Sequence, residues 1–448
     1  MKIDRRKFCV GTFAAGISAL MMPSGSGQIV PFAHSKKEIR PVGYGTLIPT
    51  ASNNTGEQLI ELPAGFQYNV FGQTGSVMSD GKPTPSRHDG MAAFEDSKGM
   101  IRLVRNHEIG FTGPGTALDV PTAFDPTTGG GTTTLVIDPV SRLPVQDFLS
   151  LSGTHRNCAG GATPWGTWLS CEETTAGAAS GFAKEHGYVF EVSSAADGPV
   201  LSAAIKEMGR FYHEAAAVEP RTSFVYLTED RNPCGLYRFK PHQWGNLHGG
   251  GTLQMLAISG SRNFDTRTNQ RVGKTLPAKW VKIPDPDPGN AESDPLAVYE
   301  QGAALGGATF ARLEGCCYRF RKIIFTSTNG GDSGLGQVWE YRPTSFHQGR
   351  LRLLYESGEI NELDFPDNVA TNRRGGLILC EDGTGEIYLR GLERNGQVFD
   401  FAKNIAPGFE TMEFAGATFS PDGQTLFVNI QTPGLTLAIW GDWQSGGL

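Results

Sequence analysis

Acidic side chains recur in this sequence where short apolar strands begin and end. Turns that open successive strand pairs carry Asp89, Cys158, Glu214, Glu314, Asn368 and Glu413. The strands that follow end in Asn106, Glu172, Glu229, Asn329, Glu381 and Asn429, several with a second acid behind them: Glu173, Asp230 and Asp382. Carboxylates gathered in one place repel each other, so they hold protons or demand cations. Oxygen-rich sets suit calcium or ferric iron, and one thiolate suits a transition metal. Cys158 is the only soft donor among the opening turns, and Arg156, Gly160 and Gly161 around it favour an electropositive loop that could lower its thiol pKa.

Arg312 stands two residues before Glu314, so on an extended strand both project to one side. The pair suits a guanidinium that binds an anion beside a metal-bound oxygen, or a salt bridge that neutralises Glu314. Glu229-Asp230 and Glu381-Asp382 fit equally as strand-end residues satisfying turn amides, and Asp89 as a turn cap. His107 and His213 lack HExxH spacing, which excludes a zinc protease, and no GxSxG supplies a serine nucleophile.

The elements that must place these residues repeat. Each unit has a polar turn, a Gly/Ala-rich strand, an apolar strand ending in an acid or amide, and a further alternating strand. One unit reads Asn157-Cys158-Ala159-Gly160-Gly161, then Thr167-Trp168-Leu169-Ser170-Cys171-Glu172-Glu173, then Gly187 to Val192; the others open near His88, His213, Arg312, Asp367 and Glu413. Six such units predict an all-β fold, a six-bladed β-propeller over residues 86–448 whose acids converge on an axial metal site. Residues 35–85 read as an extended lead-in. Residues around 243–305, with Pro284-Asp285-Pro286-Asp287-Pro288, read as a capping insertion. A tandem pair of β-sandwiches is the rival architecture, disfavoured by repetition of the whole unit.

Composition agrees. The chain has 448 residues, only 19% charged, with 59 glycines and 27 prolines, which describes a turn-rich globular protein. A formal net charge of −7 argues against a general nucleic-acid binder. Seven cysteines without a CxxC pair read as mostly free, buried thiols. Asp4-Arg5-Arg6-Lys7-Phe8 before an apolar run to Met22 has the order of a twin-arginine signal, so residues 1–34 predict a periplasmic or secreted protein exported by the twin-arginine translocase.

Arg156-Asn157-Cys158-Ala159-Gly160-Gly161, Cys171-Glu172-Glu173-Thr174, Ala311-Arg312-Leu313-Glu314-Gly315, Cys380-Glu381-Asp382-Gly383 and Phe419-Ser420-Pro421-Asp422-Gly423 together resemble the PhoX-type alkaline phosphatases. The resemblance implies a six-bladed propeller with two ferric (Fe3+) and three calcium (Ca2+) ions at its axis, an oxo group bridging metals. It implies that Cys158 helps bind iron, that Glu314 is a metal ligand and Arg312 a phosphate contact, making Arg312, Cys158 and Glu314 the catalytic set. Glu172, Glu173, Glu214 and Glu381 follow as further ligands. The implied activity is hydrolysis of a small-molecule phosphate ester by a monomer. A calcium-dependent propeller lactonase or esterase, and a non-enzymatic binding propeller, are the alternatives.

Overall fold

The computed structural model describes residues 42–201 and 203–448; the leader predicted at residues 1–34 lies outside them. The fold is all-β, with one α-helix, Ala297–Ala304, among the described residues. Its strands form six antiparallel groups, each opened by one short strand: His88–Glu95, Asn157–Ala162, His213–Val218, Leu313–Arg319, Pro366–Thr371 and Phe414–Phe419. Each opening strand lies against the next, and Phe414–Phe419 returns to lie against His88–Glu95.

Side chains alternate between the two faces of a strand, and here the two faces serve different neighbours. Leu103 packs with Phe427 and Ala438 of the sixth group, whereas the adjacent Val104 packs with Trp168 and Phe190 of the second. Val225 joins Leu169 and Val189, whereas Tyr226 joins Phe325 and Trp339. Ile324 and Val338 meet Leu379, and Ile378 meets Leu426. Six apolar clusters thus join consecutive groups, each fully buried large side chain contributing roughly 1.5–3 kcal/mol.

The predicted lead-in is more than extended chain. Gln67–Phe71 pairs with Leu435–Trp440 and completes the sixth group, while Leu47–Ala51 and Gln58–Pro63 extend the fifth through Val398–Asn404. The predicted insertion is likewise part sheet. Asn246–Ile258 is the fourth strand of the third group, and Thr275–Lys282 pairs with both it and Gln348–Glu356, fusing the third and fourth groups. Six cysteines, Cys158, Cys171, Cys234, Cys316, Cys317 and Cys380, are unpaired.

Each opening strand carries a register slip in its first residues, between His88 and Met91, Asn157 and Gly160, His213 and Ala216, Leu313 and Cys316, Pro366 and Val369, and Ala415 and Thr418. A bulge of this kind bends the strand and re-aims a side chain. The bulged residues are small because the neighbouring backbone is close: a Cβ on Gly90 would stand 2.9 Å from the Cys158 carbonyl, on Gly315 2.4 Å from that of Asp367, and on Gly416 2.2 Å from that of Asp89. Side chains from the preceding group fasten the same carbonyls. Asn106 Nδ2 donates to Cys158 O (3.0 Å), Thr228 Oγ1 to Glu314 O (2.6 Å), Thr326 Oγ1 to Asp367 O (2.8 Å) and Asn429 Nδ2 to Asp89 O (2.7 Å).

Gly315→Ala is expected to lower unfolding stability by about 1–3 kcal/mol through this backbone clash, read from the urea midpoint. Gly358→Ala, where an added Cβ meets nothing, serves as the control and should leave the midpoint unchanged.

Candidate metal centre

The bulged ends converge on a cavity of about 160 Å³. Two tiers of side chains line it. The first comes from the second residues of five opening strands, Asp89, Cys158, Glu214, Glu314 and Asp367. The sixth strand has Ala415 at that level, and Glu413 enters from the turn before it. The second tier comes from residues just past the second strands: Glu108, Glu173, Asp230, Asp382 and Gln431. With Arg156 and Arg312 the lining holds nine carboxyl groups, one thiol and two guanidinium groups.

The strand-end acid pairs divide between cavity and wall, because consecutive side chains point opposite ways. Glu173, Asp230 and Asp382 face the cavity; Glu172, Glu229 and Glu381 do not. Glu172 is fully buried behind it, accepting from His155 N (2.8 Å), His186 Nδ1 (2.8 Å), Gly187 N (2.8 Å) and Tyr188 N (3.2 Å). Glu229 accepts from Gly235 N (3.0 Å) and the Tyr237 hydroxyl (2.7 Å). Glu381 accepts from Asp364 N (2.9 Å), Tyr388 N (3.1 Å) and Arg390 Nε (2.7 Å). Glu172 and Glu381, expected from the sequence as metal ligands, thus stand outside the cavity lining, their oxygens accepting from the loops behind it.

Cys158, Glu173, Glu214, Glu314 and Arg312 are brought together as expected from the sequence. Asp367 takes the place assigned to Asn368, whose Oδ1 instead accepts from Gly416 N, and Glu108 joins the set unanticipated. Asn106 and Asn429 are latches rather than ligands. Cys158 Sγ lies 3.1 Å from Glu214 Oε1 and 3.8 Å from Asp89 Oδ2.

Both arginines sit at the mouth, their side chains 42% and 30% exposed above carboxylates such as Glu314 at 4%. Arg156 donates to Glu108 (2.8 Å) and Glu173 (2.6 Å). Arg312 donates through Nε to Asp230 (2.9 Å) and through Nη2 to Glu314, the salt bridge that was one of the two readings of the Arg312–Glu314 pair. Arg87, Arg156 and Arg312 each precede an opening strand with φ of 51°, 50° and 41°. That left-handed backbone costs a non-glycine residue roughly 1–2 kcal/mol, and here it lifts Arg156 and Arg312 to the mouth.

Burial, reinforced by neighbouring acids, raises Asp89, Glu214, Glu314 and Glu413 well above the ordinary carboxylate range. Glu173 is pushed up to about 8 by burial, with Arg156 opposing and Glu108 adding; Asp367 is pushed to about 7 by burial and then by Asp382. Burial and the surrounding acids also push the Cys158 thiol up, contrary to the electropositive loop inferred from its sequence neighbours.

Cations fit this donor set. Cys158, Glu173 and Glu214 present ligand atoms all within 4.8 Å of one another. Asp89 Oδ1 is buried without a hydrogen-bond partner, an open acceptor of the kind a bound cation satisfies.

The profile of the alkaline phosphatase PhoX family matches residues 42–143 and 138–434. Among solved structures, Pseudomonas fluorescens PhoX in complex with vanadate, a transition state analogue, superposes with a TM-score of 0.66 at 19% identity, covering 90% of this chain and 99% of that one. A gluconolactonase from Xanthomonas campestris (TM-score 0.44, 11% identity, 89% and 98% coverage) and the periplasmic gluconolactonase of Pseudomonas aeruginosa (0.42, 15%, 89% and 92%) are more distant. No curated protein matches the sequence.

Glu172 and Glu173 should behave oppositely. Glu172→Gln is expected to cost about 1–3 kcal/mol, because an amide cannot accept all four of its hydrogen bonds, and to leave the metal content intact. Glu173→Gln should lower the metal content seen by elemental analysis without destabilising the chelated protein.

A second outcome concerns pH. Unfolded carboxylates titrate near 4, whereas Glu173 and Asp367 in the fold titrate near 8 and 7, so between these values the metal-free fold binds more protons than the unfolded chain. Its stability therefore falls as pH rises: the Tm of chelated protein should drop from about pH 5 to about pH 9. Metal-loaded protein should hold its Tm, since cations replace the protons. A chelated protein whose Tm rises over this range would contradict the assignment.

Proposed function

The chain belongs to the alkaline phosphatase PhoX family and is a phosphoric monoester hydrolase; from that premise we propose that the two-tiered acidic cavity is its active site and holds the cations the reaction needs. The observation that carries the reading is the set of nine carboxyl groups and Cys158 beneath two arginines in one small cavity. The six groups closed by six apolar clusters support a six-bladed propeller with this site on its axis.

Asp89, Cys158, Glu173, Glu214, Glu314, Asp367 and Glu413 would hold the cations, two ferric and three calcium ions as the family resemblance implies. Bound there, they supply Lewis acidity and neutralise phosphoryl charge. Arg312 and Arg156 direct N–H donors at the phosphoryl oxygens from the mouth. Asp230 and Glu314 fix the Arg312 guanidinium, and Glu108 and Glu173 fix that of Arg156, so neither must be ordered when the ester enters.

The substrate is read as a small-molecule phosphate ester, and the protein as a monomer exported folded and metal-loaded through the twin-arginine translocase to the periplasm or beyond. No helix among the described residues is long and apolar enough to cross a membrane.

Release of phosphate from p-nitrophenyl phosphate tests the reading. Chelation should abolish it, vanadate should inhibit it, and Arg312→Ala should lower kcat/KM roughly a hundred- to a thousand-fold with metal content retained. Full activity after removal of all metal would overturn it.

A further inference from the structure

The opening strands begin at the acidic cavity and end on the opposite face. There Arg319 and Thr371, the last residues of Leu313–Arg319 and Pro366–Thr371, line a second pocket of about 570 Å³ between the fourth and fifth groups. This volume is in the range of small-molecule sites. Ile324, Leu377 and Leu392 give it an apolar floor, and Arg319, Arg352 and Arg394 stand around it. Two acids line it as well, each with a partner: Glu340 pairs with Lys322, and Glu393 accepts from Gly43 N (3.3 Å) and Asn395 Nδ2 (2.9 Å).

Arg319 Nε and Nη2 are buried and have no hydrogen-bond partner. The Arg319 guanidinium lies 4.0 Å from the centre of the Phe320 ring, and that of Arg394 lies 5.8 Å from the same ring. Two like charges beside one ring with no acid between them disfavour each other; burial and then Arg394 lower the pKa of Arg319.

The hairpin that places them is strained. Arg319 pairs with Lys322 across a two-residue turn, Phe320-Arg321, with φ of 47° and 62°. Such a turn prefers Asn-Gly, because both central residues need positive φ. A bulky residue there costs roughly 1–2 kcal/mol, and retained strain of this kind goes with a function. Its effect is to hold Phe320, 60% exposed, at the pocket edge beside the two guanidinium groups.

We propose that this pocket binds a small amphipathic carboxylate, its head bridging Arg319 and Arg394 and its hydrocarbon body covering Ile324, Leu377 and Leu392. A guanidinium presents paired N–H donors that match two carboxylate oxygens, and with Glu340 matched by Lys322 the three arginines leave the pocket lining net positive. The site is independent of the acidic cavity and of the reaction assigned to it.

Sodium octanoate titrated into the metal-loaded protein by calorimetry is the test, with octylammonium and octanol as comparisons. Octanoate should bind saturably at one site, and Arg319→Met should weaken it about tenfold, the loss of one charge-assisted interaction. Arg394→Met, at an exposed side chain, carries the same expectation should the Arg319 variant not fold. Both variants should keep their phosphatase activity. Absence of saturable octanoate binding, equal binding of octylammonium or octanol, or an unchanged Kd in the arginine variants would overturn the proposal.

Discussion

Mutual repulsion among nine carboxyl groups and a thiol in a cavity of about 160 Å³ is the constraint around which this structure is organised. Two charges 4 Å apart at an effective dielectric of 20 interact by about 4 kcal/mol, so a few such pairs rival the whole stability of a domain. The periphery must hold the hub shut. Apolar clusters between consecutive groups supply that force, and the latches from Asn106, Thr228, Thr326 and Asn429 transmit it to the backbone of the acids themselves. Fixing the carbonyls of Asp89, Cys158, Glu314 and Asp367 fixes where those four side chains start, as a cavity that must present several donors at once requires.

The same constraint explains why each acid pair at a strand end is divided. Glu172, Glu229 and Glu381 are as buried as their neighbours in the cavity, and each accepts from the loop beyond its strand, Glu172 and Glu381 on both oxygens and Glu229 on Oε2 alone, its Oε1 buried without a partner. They tie the loop after each second strand to the sheet, so the following acid stands on a fixed base. Hydrogen bonds offset part of the charge on such a carboxylate, although burial still raises Glu229 and Glu381 to about 7.

The repeated unit, the all-β class and the gathering of Cys158, Glu173, Glu214, Glu314 and Arg312 were legible because residue type and strand period carry them. What was not legible is the phase of the period at each strand end. Glu172 and Glu173 look alike as sequence, and only the direction of one strand decides which faces the cavity and which the wall. Asn368 displaced Asp367 in the reading for the same reason, since a bulge shifts the phase by one residue without altering composition. Glu108 was passed over because Asn106 seemed to end its strand, although the chain runs two residues further into the cavity. The lead-in was read only as extended chain because its partner strands, Leu435–Trp440 and Val398–Asn404, lie more than three hundred residues away.

Departures from sixfold repetition are where chemistry enters. A perfectly regular ring would offer identical acids all round and treat a bound ion alike from every side. Here the first tier substitutes a thiol at Cys158 and leaves Ala415 empty-handed, the second tier has Gln431 in one group, and Thr328, bonded to Pro366 O, fills the equivalent position in the fourth. Arginines precede the first, second and fourth opening strands, but Tyr212 and Phe365 precede the third and fifth. Of these arginines only Arg156 and Arg312 line the cavity, on the groups either side of the third, so positive charge stands over that part of a negative ring. Such a field orients an anion that must touch both signs: its oxygens toward the guanidinium groups and whatever cations the floor holds, its ester arm toward the open side. Repetition builds the basin, and the irregular residues give it a direction.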